Sequence, residues 1–163
     1  MKKAFTMIEL IFVIVILGIL AAVALPKFLG VANQAHEGNM KSFTGTLNRT
    51  VGPTLWSKSI SEGHNGDISY LDLEYANGDG NLTTYVDVPK EVSEVNLSKC
   101  DSATGEKVVG KVDPNVAGEM LEISCVDGNA NQSPKFYLYK CDGNGDNLGD
   151  TPAATDNTCT KIQ

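Results

Sequence analysis

The 163-residue chain has few of the groups from which catalytic sites are built. Its two histidines, His36 and His64, are its only imidazole bases; one lies on a predicted helix and the other in a Glu-Gly-His-Asn-Gly turn. No Gly-x-Ser-x-Gly turn, phosphate loop or His-Glu-x-x-His pair occurs, so an enzymatic function is not expected. No Cys-x-x-Cys pair is present, which removes the common zinc and redox motifs. Basic residues are also scarce: beyond Phe28, nine lysines and Arg49 stand against nineteen acids. Phosphate contacts need clustered Lys or Arg, and no basic stripe with interleaved aromatics is found, so no nucleic-acid partner is predicted. Internal repeats are absent as well.

The four cysteines, Cys100, Cys125, Cys141 and Cys159, all lie in the last third of the chain. An even count, together with the apolar N-terminal segment described next, favours disulfides formed outside the cytoplasm. Three connectivities are open. Cys100–Cys125 and Cys141–Cys159 each close a loop of moderate size, a link that contributes about 3 kcal/mol in the chain-entropy model. Free buried thiols are the alternative.

The N-terminus is the most informative segment. Met1-Lys2-Lys3-Ala4 is a short cationic leader, followed by Phe5-Thr6-Met7-Ile8-Glu9. Leu10 to Leu25 then runs without a charged or polar side chain. As a helix, residues 5–25 span roughly 32 Å, enough to cross a bilayer core. An all-round apolar helix must sit in lipid or inside protein. Lys2 and Lys3 anchor the leading end in the cytoplasm, so the chain after Pro26 is expected to face outward. A secretory signal peptide and a plain single-pass anchor are the rival readings. Glu9 argues against the first, which has no use for an acid there.

Beyond Pro26, Val31, Ala35, Phe43, Leu47, Val51 and Leu55 form an apolar stripe at helical spacing, with Asn33, Glu37, Lys41 and Asn48 opposite. Gly52-Pro53 predicts a break or kink, with a last turn over 54–60. Ile68–Tyr75, Leu82–Val88, Val108–Val112, Met120–Val126 and Phe136–Tyr139 read as short strands between turn clusters. Four of them are expected to form an antiparallel sheet covering the Phe43–Leu55 stripe. The tail from Cys141 is too rich in Gly, Asn, Asp and Thr to build its own core. The expected fold is α+β: a long N-terminal helix packed on a small antiparallel sheet, with a disulfide-bounded C-terminal loop.

Ala4-Phe5-Thr6-Met7-Ile8-Glu9-Leu10, the apolar run and Pro26 together resemble the N-terminus of type IV prepilins and pseudopilins. The resemblance covers about the first thirty residues. It implies cleavage by a prepilin peptidase between Ala4 and Phe5, with methylation of the new Phe5 amine. The chain departs from the family at Ala4, where Gly is usual. The implied division is a leader at 1–4, a membrane and filament-core helix at 5–29, and an outer domain at 30–163. Glu9 is then expected to pair with the terminal amine of a neighbouring subunit and so select axial register, because an unpaired buried charge is costly. Its alternative is a headgroup position favoured by the helix dipole. Gly18 and Pro26 bracket a stretch that family filaments often show partly unwound; a simple kink is the other reading.

Two further patterns stand apart. Asp142, Asn144 and Asp146 alternate like the first half of a calcium loop, but Asn147 and Ala153 fall where Gly and a bidentate acid belong. A solvated turn is preferred, with Asp127-Gly128-Asn129 a weaker echo and no cofactor otherwise expected. Asn81, in Asp79-Gly80-Asn81-Leu82-Thr83, and Asn96, in Glu94-Val95-Asn96-Leu97-Ser98, both fit the acid-x-Asn-x-Ser/Thr acceptor of bacterial N-glycosylation. Chance gives roughly 0.2 such matches in this composition.

The reading that follows is an inner-membrane, single-pass subunit with its C-terminal domain in the periplasm. It polymerises with copies of itself into a helical filament, in the periplasm or on the cell surface, driven by an assembly platform with an ATPase. A type II secretion pseudopilin and a membrane-anchored binding module that never polymerises are the alternatives.

Overall fold

The computed structural model describes residues 5–101, 105–114, 120–141, 146–152 and 159–163. The chain forms two compact units, Met1–Ala35 and His36–Gln163. Helix α1, Met7–Thr46, contributes to both and contains Pro26. In the first unit its apolar side chains lie exposed from Met7 to Val23.

In the second unit the helix does not break at Pro53. A five-residue π segment, Leu47–Val51, carries it into α2, Gly52–Ser61. Pro53 has no N–H to donate and sits harmlessly in the first turn of α2, while the Gly52 N–H reaches back to the Leu47 carbonyl. Gly52 is needed here because an added Cβ would lie 2.9 Å from that oxygen and 3.3 Å from the Phe136 ring.

Six described strands form one antiparallel meander in sequence order: β1 Glu74–Ala76, β2 Val92–Asn96, β3 Lys107–Val112, β4 Met120–Val126, β5 Lys135–Cys141 and β6 Cys159–Lys161. Met40, Phe43, Leu47, Val51 and Leu55 from the helical layer join Val92, Val95, Leu121, Ile123, Phe136 and Leu138 from the sheet in one buried core. Each such side chain contributes about 2 kcal/mol by leaving water. The buried stripe begins at Met40. Val31 and Ala35, expected to share it, fall in the first unit and are exposed.

Two expected strands are corrected. Leu82–Val88 opens as a 3-10 turn, Asn81–Thr84, in which the Tyr85 and Val86 N–H groups both return to the Leu82 carbonyl. Ile68–Tyr75 contains a second 3-10 turn, Ser69–Leu71, and only Glu74–Tyr75 joins the sheet. Disulfides join Cys100 to Cys125 and Cys141 to Cys159. The second ties β6 to the end of β5.

Asn48 fixes the helix to the sheet. Its Nδ2 donates to the Phe136 carbonyl at 2.6 Å, and its Oδ1 accepts from the Phe136 N–H at 2.8 Å. The side-chain amide thereby stands in for a strand neighbour.

Candidate assembly site

The N-terminal helix starts on a capping box. The Thr6 N–H and hydroxyl donate to Glu9 Oε2 at 2.9 and 2.7 Å, and the Glu9 N–H reaches Thr6 Oγ1 at 3.3 Å. Thr6 is thus the N-cap, its carbonyl accepting the first helical bond from Leu10. Phe5, just ahead, is 88% exposed, and residues 1–4, including Ala4, lie outside the described residues. Met7–Ala24 is long and apolar enough to cross a membrane, and none of it is buried within the chain. Apolar surface this continuous needs a cover, whether lipid or protein. Gly18 has open space where a Cβ would stand, and the helix passes unbroken through Gly18 and Pro26.

The other residues singled out from the sequence fall in the second unit. Asp142 and Asn144 lie outside the described residues. Asp146 is buried, and its N–H donates to Glu122 Oε1. Glu122 is fully buried on β4, its Oε2 receives no donor among the described residues, and burial raises its carboxyl above the usual range. Glu122 also lies within 4.8 Å of the sulfurs of Cys141 and Cys159, but those are spent on their disulfide and offer no thiolate. Asn81 opens the 3-10 turn Asn81–Thr84 and Asn96 ends β2, both beside Glu74 of β1.

Three further acids have partners that the sequence did not indicate; of these only Asp127 stood in a sequence pattern, the weak calcium-type one. Glu91, almost fully buried, accepts from His36 Nδ1 at 2.9 Å and Asn39 Nδ2 at 3.3 Å. Burial opposes its ionisation, yet donation from His36 and Asn39 holds the carboxyl below the usual range. Asp127 is 6% exposed; its Oδ1 accepts from the N–H groups of Ile68 and Gly128, and its Oδ2 has no donor among the described residues. Burial, with the Asp67 carboxyl alongside, pushes Asp127 up to about 7. Partial burial would raise Asp67 too, but hydrogen bonds from Ser69 and Asp127 keep it below its ordinary value. The third acid, Glu106, takes the Ser124 hydroxyl and Lys161, whose ammonium lies 3.6 Å from the Tyr137 ring centre. Among the described residues none of these groups forms a nucleophile–base pair.

A capped apolar helix, exposed within the chain, and a disulfide-stapled α+β domain make up a pilin-like architecture. Residues 1–25 match the prokaryotic N-terminal methylation motif. The chain is 34% identical to the type IV narrow pilus major component PilA5 of Thermus thermophilus over 83 residues, half of this chain and 65% of that protein. It is 28% identical to the type IV major fimbrial protein FimA of Dichelobacter nodosus over 108 residues, 59% of this chain and 68% of that one. The chain therefore spans about two thirds of the length of these relatives. No solved structure matches it. The chain is thus similar to prokaryotic N-terminally methylated proteins over its first 25 residues and to type IV pilus components over a longer stretch.

Proposed function

We propose that the chain is a structural subunit of a type IV pilus-like filament. The observation that carries this reading is one segment in which a continuous exposed apolar helix begins with a single acid in a capping box. The pilus components among its relatives support it.

On this reading a prepilin peptidase cuts between Ala4 and Phe5 and the new amine is methylated. Residues 5–29 hold the subunit in the inner membrane, and residues 30–163 form the periplasmic domain. Assembly moves the helix from lipid into a bundle of identical helices. One apolar solvent replaces another, so hydrophobic burial gives little net drive. Helix packing directs the step, together with pairing of Glu9 to the Phe5 amine of a neighbour, and an ATP-driven platform supplies the work. A subunit seated out of register leaves an uncompensated charge, which costs about 3–5 kcal/mol when buried.

Replacing Glu9 by Ala tests this. Filaments counted by electron microscopy should be lost while the membrane-stored subunit, followed by immunoblot, persists. Undiminished filaments would overturn the pairing. The mass of the mature N-terminus supplies a second check: it should correspond to methylated Phe5, and a filament subunit still beginning at Met1 would overturn the processing step.

A further inference from the structure

The two acid-x-Asn-x-Ser/Thr segments share a sequence pattern but not a geometry. In β2, strand alternation turns Val95 into the core and puts Glu94 and Asn96 together on the opposite face. Asn96 then caps the 3-10 turn Leu97–Lys99. Its Oδ1 accepts from the Ser98 N–H at 3.0 Å and the Ser98 hydroxyl at 2.5 Å, whereas no acceptor among the described residues holds its Nδ2. At Asn81 both ends of the amide are taken: Nδ2 donates to the Asp72 carbonyl at 2.9 Å and Oδ1 accepts from the Glu74 N–H at 2.7 Å. The Thr83 hydroxyl turns away to the Gly80 carbonyl, and the Asp79 carboxylate is held by the Gly80 N–H.

We infer that Asn96, and not Asn81, is an acceptor for an oligosaccharide activated as a lipid-linked pyrophosphate. An amide nitrogen is a poor nucleophile because its lone pair is delocalised into the carbonyl. It becomes competent as it gives up a proton, and the negative charge then rests on Oδ1. Two donors already aimed at the Asn96 Oδ1 stabilise that charge, as an oxyanion hole does. In the transfer, Nδ2 forms a bond to the sugar's anomeric carbon and the bond from that carbon to the pyrophosphate oxygen breaks. The lipid pyrophosphate leaves, and the Nδ2 proton passes to a base of the transferase. Asn81 would have to give up its two backbone bonds before its amide could enter such a site.

This inference rests on the outward orientation of the domain proposed above. The test is co-expression of the full chain with a bacterial oligosaccharyltransferase and its lipid-linked oligosaccharide, read by intact-mass spectrometry alongside a known acceptor protein. The wild type should gain a single glycan mass. Asn96→Gln and Ser98→Ala should lower occupancy at least tenfold, Ser98→Thr should retain it, and Asn81→Gln should leave it within twofold. Equal occupancy of both asparagines, occupancy that follows Asn81, or none while the control protein is modified would overturn the proposal. The same spectra show whether the four cysteines are oxidised. Oxidised but unglycosylated chain therefore counts against the acceptor, and reduced chain against the orientation.

Discussion

Replacing Asp127 by Asn should abolish a pH dependence of stability that the wild-type fold carries. The folded carboxyl is pushed up to about 7 from an ordinary value of 3.8 by burial, helped by the neighbouring Asp67. The native state therefore binds a proton that the unfolded chain has already released. Its stabilising effect is complete below about pH 3.8 and is lost as pH rises through about 7. At about 1.4 kcal/mol for each pH unit, the full span sets a ceiling of roughly 4 kcal/mol. Partial relaxation of Asp127 toward water makes a loss of about 2–4 kcal/mol between pH 4 and 8 the expected range. Asparagine keeps an acceptor for the Ile68 and Gly128 N–H groups and offers a permanent donor to Asp67. The variant should lack this slope and exceed the wild type in stability at pH 8. Urea unfolding of the full chain in detergent micelles reads this through the single tryptophan. The Trp56 indole donates to the Asn129 carbonyl at 2.8 Å, two residues from Asp127. Equal slopes for wild type and Asp127→Asn between pH 5 and 8 would refute the assignment.

Asn48→Ala removes the side-chain amide that serves the Phe136 N–H and carbonyl, and should cost about 2 kcal/mol in the same urea assay. An unchanged midpoint would mean that water replaces the amide freely. Thr6→Ala should cost about 1 kcal/mol of helix start, seen as faster amide exchange confined to residues 7–10 in micelles. Exchange unchanged there would remove the capping box from the account.

What could be read from the sequence followed from how local its cause was. The apolar helix is set by composition alone, and β4 emerged at its expected bounds, Met120–Val126, because a short apolar run between turn signals admits few other structures. β2 was missed because its register shifts between Val92 and Glu94, so Val92 and Val95 do not alternate as strand residues should. Leu82–Val88 has strand-like residues, but Leu82 is buried and Val86, four residues on, packs on the same core, which is helical spacing. The acids were the least legible. Glu91 finds its donors 55 and 52 residues away on α1, and Glu122 meets the Asp146 N–H 24 residues on. A lone carboxylate, whether beside Lys90 or between Leu121 and Ile123, does not reveal which distant donor the fold will bring to it.

The capping box also explains how one acid can serve two states of the proposed subunit. A carboxylate near the end of an apolar helix is expensive in lipid if bare, and insertion scales charge about 2.5–3.5 kcal/mol at mid-helix. Thr6 supplies two donors to Glu9 Oε2 within the same chain, so the stored form meets part of that cost without a partner. Those bonds engage one oxygen and leave Oε1 without a Thr6 contact. A neighbour's amine can therefore join the carboxylate while the helix start stays capped, and the charge pair adds to the cap without replacing it. Register selection then requires no unfolding of the first turn, which would otherwise work against each addition to the filament.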